Sequence, residues 1–138
     1  EGVVFLSELD ERMVLLRETM EAVRLEQCGL APERRFTFYD HVHATGMDIK
    51  QPLACTACIT LSKDTTFRDY AQGAYRMRGL GKGQRVELLL IPEVQALMHG
   101  VLAEVEGIGK EERAARLASL AGTRAWGKRV VVDALTWL

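Results

Sequence analysis

Cysteine and proline are scarce in this chain of 138 residues, three of each, and aromatic residues make up only 7%. An odd, small number of cysteines argues against a disulfide framework and for a reducing, intracellular and cytoplasmic setting. No apolar run reaches the roughly 18 residues that a bilayer-spanning helix needs, so no membrane partner is expected. Charge of one sign is lacking too: 18 Lys and Arg stand against 19 Asp and Glu, a net charge of −1. That balance gives no global drive toward nucleic acid or an acidic membrane surface. Internal repeats and low-complexity segments are absent, which excludes a solenoid or a disordered tract.

What is present is an ordinary globular balance, 48% hydrophobic and 27% charged, in a chain long enough to bury a core. The charge is uneven. Residues 1–62 carry six Lys and Arg against ten Asp and Glu, and residues 63–138 carry twelve against nine. The basic half reads as a solvated surface or as a local anion site. The chain opens on Glu1 and closes on the apolar Thr136-Trp137-Leu138, from which we expect a piece of a longer protein.

Short apolar runs alternate with helical patterns. Val3-Val4-Phe5-Leu6 reads as a buried strand. Ser7 with Asp10 three residues on has the form of a capping box, and Leu9, Met13, Leu16, Met20 and Val23 repeat at helical spacing. The preferred reading over 8–26 is a helix; the run Met13-Val14-Leu15-Leu16 keeps a hairpin open. Gly29 and Pro32 then break the chain before a strand at Phe36-Thr37-Phe38-Tyr39. A loop over 40–52, a strand over 54–61 and a helix over 67–77 capped by Thr65 or Thr66 follow. Glycines 79, 81 and 83 end that helix before a strand over 85–91. Pro92 suits the first turn of a helix carrying Val94, Leu97, Met98, Val101, Leu102 and Val105, a stripe read as core or as a packing face. Two further helices are expected over 110–121 and 124–137, the last with some strand character at Val130-Val131-Val132. Trp126 and Trp137 are expected to pack. Strand and helix in alternation imply an α/β fold, a mainly parallel sheet with flanking helices and a helical C-terminal part.

Two segments fall where ligands sit in such folds, at or beside the carboxyl ends of strands. One is His43-Ala44-Thr45-Gly46-Met47-Asp48-Ile49; the other is Gln72-Gly73-Ala74-Tyr75-Arg76-Met77-Arg78-Gly79. Singly they read as a loop glycine and as basic residues favouring the negative end of a helix. Together, in this order, the chain resembles the second RecA-like lobe of superfamily 2 helicases, over roughly residues 2–91. That family has a motif V of the form Thr…Gly-x-Asp-Ile and a motif VI of the form Gln-x-x-Gly-Arg-x-Gly-Arg. Gly46-x-Asp48-Ile49 matches the core of the first, and Gln72-x-x-x-Arg76 the spacing of the second. A nearer likeness is to the helicase-like segment of very large fungal and protist proteins filed near ubiquitin hydrolases. It rests on Phe38-Tyr39-Asp40, on His43-x-x-Gly46-x-Asp48 and on Arg76-Met77-Arg78-Gly79-Leu80-Gly81-Lys82-Gly83-Gln84. No cysteine here has a Cys/His nucleophile setting.

The resemblance implies a RecA-like lobe of the P-loop NTPase superfold, with residues 1–91 as its core and 92–138 as a helical extension within one domain. It implies ATP and Mg²⁺ bound only together with an upstream RecA-like lobe of the same protein. Arg76 becomes the leading candidate for neutralising charge on the phosphates, with Arg78 as the other. Gln72 takes a supporting contact, and Gly46 and Asp48 couple the cleft to a second site. The chain departs from the family in having Tyr75 at the middle glycine, Gly79 at the last arginine, and Arg78 one place early. A degenerate lobe serving as a protein-interaction scaffold is therefore the alternative. Nucleic acid is a less favoured partner, since no broad basic face with interleaved aromatics is evident. An isolated lobe that exposes an apolar face is expected to self-associate.

Three other motifs are set aside. Gly81-Lys82-Gly83 lacks the Gly-x-x-x-x-Gly-Lys-Ser/Thr pattern and leads from a helix into a strand, so it reads as a turn and not as a phosphate loop. Asp40-His41-Val42-His43 lacks the glutamate of an Asp-Glu-x-His motif. Cys55 and Cys58 with His41 and His43 could supply four zinc ligands, but a Cys-x-x-Cys within a strand faces both sides of the sheet. They read as small core residues, and no metal is assigned.

Overall fold

In this computed structural model Val3-Val4-Phe5-Leu6 lies in a strand, β1 (Gly2–Leu6), whose alternate residues Gly2, Val4 and Leu6 are buried. The structure describes all 138 residues, except for the side chain of Trp126. The chain falls into two compact units, Glu1–Ala57 with Ala71–Val86, and Cys58–Tyr70 with Glu87–Leu138.

The first unit is built on a four-stranded sheet of order β3-β2-β1-β4, with β2 at Arg12–Leu16, β3 at Ala22–Arg24 and β4 at Arg35–Thr37. β1 pairs antiparallel with β2, Val4 opposite Val14, and parallel with β4, Val4 opposite Thr37. β2 and β3 pair antiparallel. Val4, Leu6, Val14 and Ile49 form the buried centre, with Leu16, Val23, Leu30, Tyr39 and Met47 packed against it. Gly2 is required where it stands, because a Cβ there would lie 2.8 Å from Val14 Cγ1.

The helix expected over 8–26 is a hairpin. Ser7 Oγ does not open a helix; it accepts from the N–H groups of Leu9 and Glu11 and closes the β1–β2 turn. Asp10 in that turn and Met20 in the next have φ of 59° and 56°, a conformation that non-glycine residues adopt infrequently. Leu9 and Met20, two members of the apparent helical stripe, are exposed. The sheet is consequently mixed and not mainly parallel, while the α/β class holds.

Further along, β5 (Thr56–Leu61), α1 (Phe67–Ala74) and β6 (Arg85–Leu90) follow in the expected order, and β5 and β6 form a two-stranded sheet. Arg85 N–H donates to the Cys55 carbonyl at 2.9 Å. Thr66 starts α1 by a reciprocal cap: Asp69 N–H donates to Thr66 Oγ1, and Thr66 N–H to Asp69 Oδ2. The paired side chains satisfy donors that the first turn leaves open. Beyond α1, Gly81 and Gly83 have φ of 78° and 116° in the turn that enters β6.

The second unit contains α2 (Pro92–Glu106), α3 (Lys110–Leu120) and α4 (Arg124–Trp137). Pro92 sits in the first turn of α2, and Gly107 ends it at φ 67°. Met98, Leu102, Leu61 and Ala134 are its buried centre, with Ile59, Tyr70, Leu88, Leu90 and Trp137 around them. The apolar stripe of α2, expected to be core or a packing face, is divided: Val94, Met98 and Leu102 are buried, whereas Leu97, Val101 and Val105 are exposed. Spacing of four places these two trios on neighbouring faces of one helix. The Val130-Val131-Val132 run is helical. The side chain of Trp126 lies outside the described residues. No helix among the described residues is long and apolar enough to cross a membrane.

A charge network is buried among these helices. The Arg113 side chain is 2% exposed and that of Asp133 is 3%. Arg113 Nη2 donates to Asp133 Oδ2 at 2.6 Å, its Nη1 lies 2.6 Å from His99 Nδ1, and its Nε lies 3.3 Å from Glu106 Oε2. Arg129 Nε meets the other Asp133 oxygen at 2.8 Å, and Arg129 also pairs with Glu106. Burial, then the Arg113 charge, lowers the His99 pKa, so a neutral imidazole accepts from the guanidinium.

Candidate functional site

The segment after β4 is shaped by its own side chains. Tyr39 lies two residues beyond β4, packed against the core, and its hydroxyl accepts from the Ile49 N–H at 2.8 Å, which closes the loop between them. Burial raises the Tyr39 pKa; the Ile49 N–H and the charges of Arg76 and Arg78 oppose that, while Asp48 adds to it. Asp40 accepts from the His43 N–H at 2.9 Å and meets His43 Nδ1 at 2.5 Å. The other ring nitrogen lies 3.1 Å from Asp10 Oδ1 in the β1–β2 turn. The His43 N–H and then its ring hold the Asp40 carboxyl below its usual range. Asp40, with a smaller part from Asp10, raises the imidazole above its ordinary value. A doubly paired imidazole ring thus ties this loop to the first hairpin. Gly46, at φ 89°, supplies the left-handed turn that a side chain would strain.

The residues from the end of α1 onward meet this loop. Thr45 Oγ1 donates to Gln72 Oε1 at 2.9 Å. Arg76 Nη1 donates to the Met47 carbonyl at 2.6 Å. Arg78 Nε lies 3.7 Å from Asp48 Oδ1, and its guanidinium carbon stands 4.3 Å above the Tyr75 ring. Each singled-out side chain of the second segment therefore has a partner among Thr45, Met47 and Asp48, with Gly46 between them. The pairing runs in order, 72 with 45, 76 with 47 and 78 with 48.

Gln84, the last residue of the glycine-rich run that carries the helicase-like likeness, has a structural role here that was not assigned from sequence. It is 8% exposed, accepts from Gly79 N–H at 2.6 Å and donates to the Pro52 carbonyl at 2.7 Å. This amide clamps the far end of the arginine segment to the far end of the loop. A buried glutamine beside two loop backbones has no periodic signature, so the run that ends in Gln84 gave its place but not its role. Asp10 was missed as well, because its partnership with His43 exists only in the hairpin.

A cavity of about 300 Å³ borders this region, lined by Asp10, Glu11, Arg12, Arg24, Glu26, Met47 and Asp48. Arg12 pairs with Glu26 and Arg24 with Glu11, both at 2.7 Å. Asp10 also meets His43 and Asp48 stands beside Arg78, and the lining itself carries four carboxylates against two guanidinium groups.

The cysteines differ from their expected burial. Cys58 is exposed, and Cys28 and Cys55 are half-buried. β5 alternates exposed and partly covered positions, and Cys58 falls on the exposed set. Cys55 Sγ donates to the Pro52 carbonyl, and burial raises its pKa, which keeps it a thiol. Among the described residues no group of three or more His, Cys, Asp and Glu is arranged to hold a metal ion. Gly81-Lys82-Gly83 lies in the turn before β6, with no helix N-terminus behind it.

In comparisons with known proteins, no family model, no curated protein and no solved structure matches this chain.

Proposed function

We propose that this chain is a RecA-like second lobe of a helicase-like ATPase, which brings the segment Gln72–Gly79 to the phosphates of ATP held by a separate first lobe. One observation carries the reading: the motif V-like loop and the motif VI-like segment meet through Thr45–Gln72, Met47–Arg76 and Asp48–Arg78, pairs 27 or more residues apart in sequence. Two guanidinium groups are thereby collected at the end of a helix and beside a loop, a fixed cationic edge suited to phosphate oxygens. The chain has cations for the phosphates but no phosphate-cradling loop, so nucleotide and Mg²⁺ would be held by the partner lobe. ATP supplies the bond that is hydrolysed; this chain's own residues orient the arginines and hold the loop that faces them.

Hydrolysis of ATP by the intact protein that contains this segment tests the proposal. The double variant Arg76→Ala/Arg78→Ala is expected to lose on the order of a thousandfold in turnover, as removal of an arginine finger does. Intact protein that neither binds nor hydrolyses ATP would sink it. A protein-interaction scaffold is the second reading. The exposed trio Leu97, Val101 and Val105 on α2 favours it, since a contiguous apolar face seeks a cover. Retention of protein partners by a variant with those three residues replaced by polar ones would remove that support.

A further inference from the structure

Arg76 and Arg78 stand two residues apart in unlike surroundings. Arg76 is half-buried; its Nη1 is committed to the Met47 carbonyl at 2.6 Å, and its Nε is buried with no hydrogen-bond partner. Swinging Arg76 outward would strip that carbonyl of its donor, and a part-buried carbonyl left without one is costly. Arg78 has a side chain 48% exposed. It is held by two contacts that are weak at exposed sites, a 3.7 Å approach to the half-exposed Asp48 carboxylate and a 4.3 Å stack on exposed Tyr75.

The neighbouring position closes off a third option. Gly79 N–H is held by Gln84 Oε1, and a Cβ at residue 79 would come within 3.0 Å of Gln84 Cδ and Oε1. A long side chain at 79 would have to displace the clamp that joins this segment to Pro52. Residue 78 is the last place before the clamp where a guanidinium can stand free. Tyr75, three residues earlier, offers it a face to stack on. Tyr75, Arg78 and Gly79 thus work as a set: the clamp excludes a side chain at 79, the arginine sits at 78, and the aromatic ring gives it a resting place.

We infer that the two arginines divide the work. Arg78 is the residue that meets the phosphates, by leaving Tyr75 and Asp48. Arg76 is a positioning residue that fixes the Met47 carbonyl and with it the loop. This rests on the phosphate-facing reading above, and it reverses the order of preference that motif spacing alone suggests.

The test is steady-state ATP hydrolysis by the intact protein, with Arg78→Ala, Arg78→Lys, Arg76→Ala and Arg76→Lys beside the wild type and thermal unfolding followed for each. Arg78→Ala is expected to lower kcat on the order of a thousandfold with its unfolding temperature unchanged, and Arg78→Lys to restore little, since a planar fork is replaced by a point charge. Arg76→Ala is expected to lower the unfolding temperature and to raise KM together with a smaller loss in kcat. Arg76→Lys, which can still donate to Met47, recovers most of both. Arg78→Ala turning over within tenfold of wild type, while Arg76→Ala abolishes turnover at unchanged stability, would overturn the division and leave the lobe reading standing. Wild-type protein that does not bind ATP would overturn both.

Discussion

Replacing Arg113 by alanine should be the most damaging single change in the helical unit. The guanidinium is 2% exposed, and it is one of two cations on Asp133, itself 3% exposed. Breaking a buried ion pair from one side costs about 3–5 kcal/mol, because a charge is left without compensation. Here Arg129 stays on Asp133 at 2.8 Å, but it is 43% exposed and screened by water, so it offsets only part of the loss. The expected cost is therefore at the lower end, about 3 kcal/mol. With a urea dependence of roughly 1.5 kcal/mol per molar for a unit of this size, the midpoint of helical circular dichroism should fall by about 2 M. The double variant Arg113→Met/Asp133→Leu removes both charges, leaves Glu106 and Arg129 paired with each other, and should return to within about 1 kcal/mol of wild type. A midpoint for Arg113→Ala within about 0.5 M of wild type, on the same scale, would refute the burial of this network. So would a double variant no better than the single.

Three further outcomes follow from individual contacts. His99 accepts from Arg113 only when neutral, and its pKa in the fold is lowered, so the unfolded chain takes up that proton first as pH falls. Stability is then full above the ordinary histidine value of about 6.5 and declines as pH drops from there through the folded pKa; His99→Asn, which keeps an acceptor and loses the titration, should flatten that decline in pH-dependent urea unfolding. His43 behaves oppositely, because Asp40 and Asp10 raise its pKa. Its contribution is present below about 6.5 and lost as pH rises through the folded value, and ring-proton chemical shifts should place the midpoint above the ordinary one, with Asp40→Asn lowering it more than Asp10→Asn. At Gly83, φ is 116° and a Cβ would lie 2.9 Å from the Leu53 carbonyl oxygen; Gly83→Ala should cost roughly 1–3 kcal/mol in thermal unfolding, and a neutral result would contradict the turn geometry.

Most elements after residue 35 were legible because their signals are local. Pro92 lacks the N–H that a first helical turn would leave open, and a threonine at 65 or 66 can cap the helix that follows, both within one turn. The first hairpin was legible only as the alternative to a helix, for the opposite reason. Its two turns place Asp10 and Met20 at positive φ, where glycine or asparagine is the usual signal. The residues Leu9, Met13, Leu16, Met20 and Val23 meanwhile imitate a helical period although two of them end in solvent. With the helix preferred over the hairpin, the mixed sheet and the Asp10–His43 contact were hidden. At the site, Gly46, Asp48, Gln72, Arg76 and Arg78 could be named from their order along the chain. Which arginine is tethered could not, because that depends on where the Met47 carbonyl and the Gln84 amide lie, and neither leaves a pattern in sequence.

The central claim is that nucleotide phosphates reach the segment between Gln72 and Gly79. The most direct measurement is photocrosslinking of the intact protein with an ATP analogue that carries its reactive group on the γ-phosphate, followed by peptide mapping. The account predicts ATP-competed labelling within residues 72–79, lost in Arg78→Ala. Competed labelling confined to other segments, in protein that hydrolyses ATP, would contradict it.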